Sequence, residues 1–314
     1  MIDLTSIFRN KNILITGGTG SIGSELVKQL LAYPCKQIRI YSRDESKHFF
    51  LEKEILQTNT KVDVKYLIGD IRDKERLSIA LRNVDIVYHT AALKHVPYCE
   101  YNPFEAIKTN VQGTQNLIDL SIDMNIDRVV AVSTDKAVNP NTIMGVTKLL
   151  MERMVVSSKS YIGPSITKFA VVRFGNVLNS RGSVIPTWIE QIKKGLPVTV
   201  TSKSMKRFFM STSEAVSLIL SATAVMQGQE IFVLKMREKK IYDLAMETIK
   251  KNSSHKKIKI EIIGLREREK LREQLFTVEE KKTMIDVGKY KIILPNKTIL
   301  RERKKEYKLL AGVS

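Results

Sequence analysis

The 314-residue sequence is poor in the residues that cross-link a chain or anchor it in a membrane. Its two cysteines, Cys35 and Cys99, cannot form a zinc site by themselves, and we expect buried free thiols of a reducing compartment. The longest mostly apolar run, residues 216–226, is about half the length of a membrane span. The first residues lack the basic and then apolar pattern of a signal peptide. These absences predict a cytoplasmic protein with no membrane span, no disulfide framework and no metal site.

Acidic residues are also in the minority. The chain has 52 Lys and Arg against 33 Asp and Glu, which gives a net charge of +19. Residues 235–314 contain 23 of these basic and 12 of these acidic residues and therefore carry +11. No zinc-finger spacing, heptad basic region or RNA-binding aromatic motif accompanies the charge, so we do not expect a nucleic-acid partner. A solvated lysine-rich surface is the simpler interpretation, and a diphosphate substrate is the alternative.

The distribution of apolar residues predicts the fold. Short segments rich in β-branched residues alternate with segments of helical periodicity, which is typical of parallel strands joined by crossover helices. The sequence therefore predicts an α/β fold, a doubly wound parallel (Rossmann) sheet with a smaller C-terminal lobe. We expect a dinucleotide-binding domain over residues 1–175, a returning segment near 208–235, and a substrate lobe over 176–314. The basic residues 301–308 are predicted to form a solvated helix face.

A glycine-rich loop follows the first predicted strand. The segment 16–23 reads TGGTGSIG and leads into a predicted helix. Glycines allow a tight turn and a close approach of the backbone to a pyrophosphate, and the helix N-terminus supplies N–H donors. With a strand before it and a helix after it, this loop predicts a dinucleotide site. Its expected cofactor contacts are Gly17, Thr19, Gly20, Ser21, Ile22 and Gly23.

The second strand ends in Ser42, Arg43 and Asp44. A small residue followed by arginine favours NADP, whereas an acid at the strand end favours NAD, so the sequence leaves NAD and NADP open. The ends of later strands should add contacts to the adenine and the ribose. The further residues that we assign to the cofactor are Lys47, Asp70, Ile71, Ala91, Ala92, Lys94, Asn110, Ser133 and Lys148.

These residues resemble those of the extended short-chain dehydrogenases/reductases. The lysine of that family's Y-x-x-x-K motif falls at Lys148, but Met144 stands at the tyrosine position. The segments AALKHVP (91–97), STDKAVNP (133–140), RFGNV (173–177) and SRGSV (180–184) resemble the UDP-N-acetylglucosamine 4,6-dehydratases. The resemblance extends over about residues 10–275. Three departures are Met144, Leu234 in place of a proline, and Glu267-Arg268 in place of the family's Pro-Gly.

The resemblance implies a lyase that uses a tightly bound NAD or NADP, regenerated in each turnover. Such a reaction needs a proton acceptor for the C-4 hydroxyl, a base for C-5 and an acid for the oxygen that leaves C-6. Methionine cannot exchange a proton, so Asp135 is expected to serve C-4, with Thr134 or Ser133 as a relay. Lys136 is expected to remove the C-5 proton, and Asp135 to protonate the leaving oxygen. The expected catalytic residues are Thr134, Asp135, Lys136, Met144 and Lys148.

The substrate implied is UDP-N-acetylglucosamine. Arginines suit a diphosphate because the guanidinium makes forked contacts to phosphate oxygens. The residues assigned to the substrate are Lys94, His95, Asn176, Arg181, Val184, Arg207, Arg266 and Glu269.

Several interpretations stay open at this point. The combination of residues 134–136 with Met144 resembles enzymes that retain the C-5 configuration, which we favour over inversion. A nucleotide-sugar 4-epimerase and a non-catalytic cofactor sensor are the alternatives. Relatives of this fold pair through the helices predicted at 103–124 and 144–158, so we also expect a homo-oligomer.

Overall fold

The computed structural model describes residues 3–160, 163, 165–253 and 258–310. The strands are β1 (Asn12–Thr16), β2 (Gln37–Ser42), β3 (Asp63–Ile68), β4 (Ile86–His89), β5 (Arg128–Thr134), β6 (Lys168–Phe174), β7 (Asn176–Val177), β8 (Val198–Val200), β9 (Lys206–Met210), β10 (Glu230–Leu234), β11 (Arg237–Lys240), β12 (Ile260–Ile262), β13 (Met284–Asp286) and β14 (Tyr290–Ile293). The α-helices are α1 (Leu4–Phe8), α2 (Ser21–Leu30), α3 (Glu45–Leu56), α4 (Lys74–Leu81), α5 (Val96–Tyr101), α6 (Pro103–Ile107), α7 (Gly113–Asp123), α8 (Ile143–Ser157), α9 (Val184–Lys193), α10 (Thr212–Val225), α11 (Ile241–Asn252), α12 (Val278–Lys281) and α13 (Lys297–Leu310). A π-helical turn (Lys108–Gln112) joins α6 to α7, and 3₁₀ turns follow β5 (Asp135–Ala137) and α8 (Ser158–Ser160).

A large sheet forms the centre of the molecule. Within the described residues it has nine strands in the order β13-β14-β10-β6-β5-β4-β1-β2-β3. From β3 to β10 every neighbouring pair is parallel, and β14 and β13 add an antiparallel edge. The predicted doubly wound α/β fold is confirmed. The chain reverses its direction of winding between β1 and β4, and a crevice forms there at the carboxyl ends of the strands.

The burial of β1 explains why its sequence is continuously apolar. Ile13, Leu14 and Ile15 are all fully buried, because helices cover both faces of a parallel sheet. On one face α2 packs through Leu26 and Val27, in the same apolar cluster as α10. The other face is covered by α4, α7 and α8. Burial on both faces fixes the carboxyl ends of β1, β4 and β5, from which the candidate site is built.

A smaller set of elements lies beyond β6. Strands β7, β9 and β11 form one small sheet, and β8 pairs with β12. Their separate apolar cluster contains Trp188, Val198 and Leu244. The predicted returning segment contributes α10 and β10 to the main part of the molecule. Strands β13 and β14, which the sequence assigned to the second lobe, also pair into the main sheet.

The C-terminal helix differs from its prediction as a solvated face. Tyr307 in α13 is only 1% exposed, and its hydroxyl donates to Oε1 of the buried Glu230. Arg303 Nη1 donates to the same oxygen at 2.9 Å. A buried carboxylate requires such partners, because leaving it without them is costly. The inner face of α13 therefore packs on the start of β10, and its lysines lie on the outer face.

Replacing Tyr307 by phenylalanine should lower the free energy of unfolding by about 1–3 kcal/mol, because the variant keeps the ring but loses a hydrogen bond to a buried charged group. Urea denaturation followed by circular dichroism measures the change. Tyr242→Phe in α11, outside the Glu230 cluster, is the control and should leave the midpoint nearly unchanged. Equal midpoints for Tyr307→Phe and the wild-type protein would contradict this role.

Candidate active site

A cavity of about 830 Å³ opens at the carboxyl ends of the central strands. The second lobe contributes residues 176–178, residues 180–185 and Phe209 to its wall. Most of the residues predicted from the sequence line this cavity: Gly17, Thr19, Gly20, Ser21, Ile22, Gly23, Ser42, Arg43, Lys47, Asp70, Ile71, Ala91, Ala92, Lys94, His95, Ser133, Thr134, Lys136, Met144, Lys148, Asn176, Arg181 and Val184. Six predicted residues do not line it: Asp44, Asn110, Asp135, Arg207, Arg266 and Glu269.

The glycine-rich loop has no room for a side chain at Gly17 or Gly23. Gly17 has φ +64°, and a Cβ on it would lie 2.7 Å from the backbone nitrogen of Ala91. A Cβ on Gly23 would lie 2.5 Å from the carbonyl oxygen of Gly17. The ten-residue helix α2 begins within this segment, at Ser21, and its N-cap residue Gly20 offers no side chain to its first N–H groups. The loop therefore has the shape and the donors that a pyrophosphate needs.

Asp44, the acidic residue at the end of β2, does not line the cavity. Asp44 caps α3, since its Oδ1 accepts the Lys47 N–H at 3.0 Å and its Oδ2 pairs with Lys47 Nζ. These hydrogen bonds from Lys47 lower the pKa of Asp44. Ser42 Oγ lies 2.7 Å from Thr19 Oγ1, which ties the strand end to the glycine-rich loop. The groups that face the cavity here are thus hydroxyls and cations.

Asn110 has a role that the sequence did not predict. Its Oδ1 accepts the Leu93 N–H at 2.8 Å, and its Nδ2 donates to Leu93 O and to Thr147 Oγ1, each at 3.0 Å. It is 1% exposed and lies behind the loop that follows β4. The observed contacts are therefore those of a residue that holds this loop in place rather than those of a cofactor ligand.

The predicted acid–base pair lies at the end of β5. Asp135 is fully buried, and its Oδ1 accepts from Thr134 Oγ1 at 3.0 Å and from Lys136 Nζ at 2.9 Å. Lys136 Nζ also donates to Asn176 Oδ1 at 3.2 Å. Within the described residues, Asp135 Oδ2 and Ser133 Oγ have no hydrogen-bond partner. Asp135 thus does not line the cavity itself. Among the described residues, its side-chain hydrogen bonds to the cavity lining are those with Thr134 and Lys136.

Helix α8 supplies two further residues. Met144 and Lys148 are four residues apart and therefore share one helix face. Met144 is 3% exposed and packs with Cys99 and Ala106. Lys148 Nζ donates to Val132 O at 2.6 Å. Burial lowers the pKa of Lys148 to about 8, against a smaller opposing effect of Glu152. The cavity therefore contains a lysine that loses its proton at a lower pH than an exposed lysine would.

Three residues predicted for the substrate lie elsewhere. Arg207 is 5% exposed, and its guanidinium donates to the carbonyl groups of residues 206, 270 and 271. Arg266 is exposed, and its N–H donates to Glu269 Oε2 at 3.1 Å. In this geometry Arg207 stabilises the 264–272 loop and has no direct access to the cavity. Their assignment to the substrate stays a prediction.

The departure at residues 267–268 has a structural explanation. Arg268 has φ +59°, a left-handed conformation in which glycine has no steric cost. Its carbonyl accepts from Asn141 Nδ2 at 2.8 Å, and its Nη1 donates to Glu100 Oε2 at 3.0 Å. The other oxygen of Glu100 accepts the first N–H of α8, that of Ile143, at 2.6 Å. These contacts stabilise a turn that a glycine would adopt without them.

Several lining residues had not been assigned to the site from the sequence. They include aromatic and small apolar side chains for which no local motif exists: Tyr98, Cys99, Val132, Leu178 and Phe209. His89 lies beneath the cavity, where its ring nitrogens contact Thr16 Oγ1 at 2.8 Å and Thr114 Oγ1 at 3.1 Å. Burial and the charge of Lys148 lower its pKa to about 3. It is a neutral link between β1, β4 and α7.

Residues 13–295 match the model of a protein family described as polysaccharide biosynthesis proteins. The chain belongs to this family. A relative from Campylobacter jejuni, named UDP-N-acetylglucosamine 4,6-dehydratase (inverting), is 45% identical over 92% of this chain and 84% of its own length. Another, from Rickettsia akari and named UDP-glucose 4-epimerase, is 41% identical over 90% of this chain and 83% of its own.

The fold of this polysaccharide biosynthesis protein also agrees with that of a solved structure. The X-ray structure of Pen from Bacillus thuringiensis superimposes with a TM-score of 0.88 at 42% identity and covers 91% of this chain and 90% of that one. Among the helices of the described residues, none combines the length and apolar character needed to cross a bilayer.

Proposed function

We propose that the protein is a nucleotide-sugar 4,6-dehydratase acting on UDP-N-acetylglucosamine. The observation that carries the proposal is the Asp135–Lys136 pair, which is joined to the cavity by Thr134 and lies in the same wall as Met144 and Lys148. An epimerase requires an acid–base group at C-4 but none for C-5, so it leaves Lys136 unexplained. The name of the Campylobacter relative supports the dehydratase, and the name of the Rickettsia relative supports the epimerase.

The cavity fits a dinucleotide cofactor. The uncapped start of α2 and the glycine-rich loop provide a pyrophosphate site, and a Cβ on Gly17 or Gly23 would clash with the backbone that forms it. Because Asp44 is used as a helix cap while Arg43 and Lys47 line the cavity, we propose NADP rather than NAD. A nicotinamide bound there would supply the oxidant for C-4 and the hydride for C-6, and C-5 would take up a proton as the hydride is returned.

The C-4 hydroxyl loses its proton to Asp135 in this proposal. Met144 has no exchangeable proton, and Asp135 does not reach the cavity itself. Thr134 Oγ1 lines the cavity and donates to Asp135 Oδ1, so it can accept the sugar proton as it passes its own to the carboxylate. The relay that the sequence offered as one option thus has a geometric basis.

We assign the removal of the C-5 proton to Lys136. A ketone at C-4 makes the C-5 proton acidic, and Lys136, whose side chain lines the cavity, is the proposed acceptor. Asn176 Oδ1, 3.2 Å away, fixes the direction of Nζ. Asp135, protonated in the earlier step, then supplies the proton for the oxygen leaving C-6. Lys148, held by Val132 O, adds positive potential when it is protonated.

The configuration at C-5 is the finer part of the proposal. Residues 134–136 with Met144 favour retention by resemblance, whereas the Campylobacter relative is named as an inverting enzyme. We propose inversion, because that relative is similar to this chain over nearly its whole length.

Proton NMR of UDP-N-acetylglucosamine incubated with the protein in D₂O tests the function. We expect a new methyl signal and deuterium at C-5, with ring couplings of the inverted configuration. Couplings of the gluco configuration would mean retention. Conversion to the galacto epimer alone would identify an epimerase. An unchanged spectrum, also after NADP and NAD are added, would exclude this substrate.

We also propose a homo-oligomer formed through α5, α6 and α8. Their outer surface exposes large apolar side chains, including Tyr101 (88%), Phe104 (75%) and Leu150 (47%). Exposed apolar side chains on neighbouring helices are typical of a protein–protein interface. Two copies related by a twofold axis can each cover the other's patch.

Phe104→Glu should therefore reduce the molar mass in solution to that of a monomer, because it places a charge in the proposed interface. Light scattering after size-exclusion chromatography measures the mass. Phe50→Glu is the matched control, since Phe50 is 63% exposed on α3, which is not part of the patch. A Phe104→Glu protein with the wild-type mass, or a monomeric wild-type protein, would contradict the proposal.

A further inference from the structure

Arg181 belongs to the second lobe and contacts the glycine-rich loop of the main domain. Its backbone N–H donates to Ser21 Oγ at 3.0 Å, and its Nη1 donates to the Thr19 carbonyl at 3.0 Å. Its own carbonyl accepts from Lys94 Nζ at 3.0 Å. These contacts seat a segment of the second lobe on the glycine-rich loop and on the loop after β4. The sequence had assigned Arg181 to the substrate diphosphate.

The next residue keeps this segment close to the main domain. Gly182 has φ +71°, and a Cβ on it would lie 2.5 Å from His95 Cε1. The positive φ favours glycine, whereas the exposed His95 side chain could move to make room for a Cβ. The backbone conformation at Gly182 therefore helps to hold Arg181 over the glycine-rich loop.

The guanidinium of Arg181 lies near the end of β2. Thr19, whose carbonyl it binds, has its hydroxyl 2.7 Å from Ser42 Oγ. Arg181 also helps to lower the pKa of Asp44, after the larger effect of the hydrogen bonds from Lys47. Arg43 and Lys47 line the same part of the cavity. Three cations thus surround the strand end where the adenosine ribose of a dinucleotide would lie.

The carboxylates of this region pair with two of these cations. Asp44 is engaged with Lys47, and Asp70 pairs with Arg43 at 3.3 Å and with Arg72 at 2.7 Å. Arg181 has no carboxylate partner within 4.0 Å in the described part of the chain. A ribose diol is neutral and needs no such surroundings, whereas a 2′-phosphate carries negative charge and three acceptor oxygens.

We propose that Arg181 binds the 2′-phosphate of NADP together with Arg43 and Lys47, so that the second lobe itself distinguishes NADP from NAD. Of the proposed function, this inference requires only that the cavity binds a dinucleotide. Because Arg181 belongs to the segment that covers the glycine-rich loop, NADP also holds that segment closed. The closed segment would keep the cofactor bound between turnovers, which suits a reaction that regenerates its cofactor each time.

Cofactor release tests this inference without any sugar. The full-length protein is loaded with NADP or with NAD and then mixed with an excess of the other dinucleotide, and the bound species is followed by mass spectrometry of the denatured protein. Arg181→Ala should release NADP roughly 10- to 100-fold faster, the loss expected for a charge-assisted hydrogen bond, and NAD less than about threefold faster. Arg181→Lys should give an intermediate NADP rate.

Arg237→Ala, an exposed arginine of the same lobe on β11, is the control and should release both dinucleotides at the wild-type rate. Equal acceleration of NADP and NAD release by Arg181→Ala would overturn the inference in favour of a pyrophosphate contact. No acceleration, or a wild-type protein that binds neither dinucleotide, would also overturn it. A wild-type protein that binds NADP selectively but leaves the sugar unchanged would refute the dehydratase alone.

Discussion

Replacing Lys136 by methionine should lower the turnover of UDP-N-acetylglucosamine by about 10²- to 10⁴-fold, the usual contribution of a general base. Methionine keeps the length and the apolar stem of lysine but has no amine to accept the C-5 proton. Bound cofactor is expected to accumulate in its reduced form after a single addition of substrate, because oxidation at C-4 precedes the blocked step. The near-ultraviolet absorbance of reduced nicotinamide and the NMR product signal measure the two steps separately.

Asp135→Asn is the matched variant, because it keeps the shape of the side chain but cannot take the C-4 proton. It should lose turnover to a similar extent without any accumulation of reduced cofactor. Lys193→Ala, a change on the surface of α9, should behave like the wild-type protein. If Lys136→Met keeps more than about a tenth of the wild-type turnover, Lys136 is not the C-5 base.

The cofactor half of the site could be predicted because its signals are local. The loop at residues 16–23 lies between a strand and a helix that its own sequence predicts. Lys136 and Met144 were also predictable, since one lies next to the strand end and the other begins the following helix. Short stretches of chain were enough in each case to indicate the position of the side chain.

Contacts between distant segments could not be predicted in this way. Arg207 was assigned to the diphosphate by resemblance, yet its guanidinium is occupied by carbonyl groups 63 and 64 residues along the chain. Strands β13 and β14 have apolar patterns that suit either lobe, and only their pairing with β10 places them in the main sheet. Such partners depend on where a loop or an edge strand finally packs, which periodicity does not encode.

Arg173 is the clearest example of a residue whose role depends on distant partners. It is 1% exposed in β6, and its guanidinium donates to Glu152 in α8 at 2.6 and 2.9 Å. It also donates to Glu280 in α12 at 2.8 and 3.0 Å and to the Leu275 carbonyl at 3.0 Å. Glu152 is 1% and Glu280 is 8% exposed, so both carboxylates depend on this one cation.

Arg173→Met should lower the free energy of unfolding by about 3–5 kcal/mol, because it leaves two buried carboxylates without their partner. Urea denaturation at neutral pH measures the loss. Arg173→Lys keeps the charge but not the forked geometry, and its loss should be smaller. The triple variant Arg173→Met, Glu152→Met, Glu280→Leu is expected to recover most of the stability, because replacing a whole buried ion cluster by apolar residues is often neutral. An Arg173→Met protein as stable as the wild type would show that the cluster contributes little.

The pH dependence separates an electrostatic cause from a packing defect. Burial alone would raise the pKa of Glu280, but the hydrogen bonds and the charge of Arg173 outweigh burial and lower it below its ordinary 4.5. A carboxylate with a lowered pKa contributes stability above about pH 4.5, and this stability is lost as the pH falls through the folded-state pKa. Without Arg173 the sign reverses, since the buried acid then favours its protonated form. The difference in the free energy of unfolding between the wild-type and Arg173→Met proteins should therefore be largest at neutral pH and shrink towards pH 4. A cavity left by the shorter side chain would instead give the same difference at neutral pH and at pH 4.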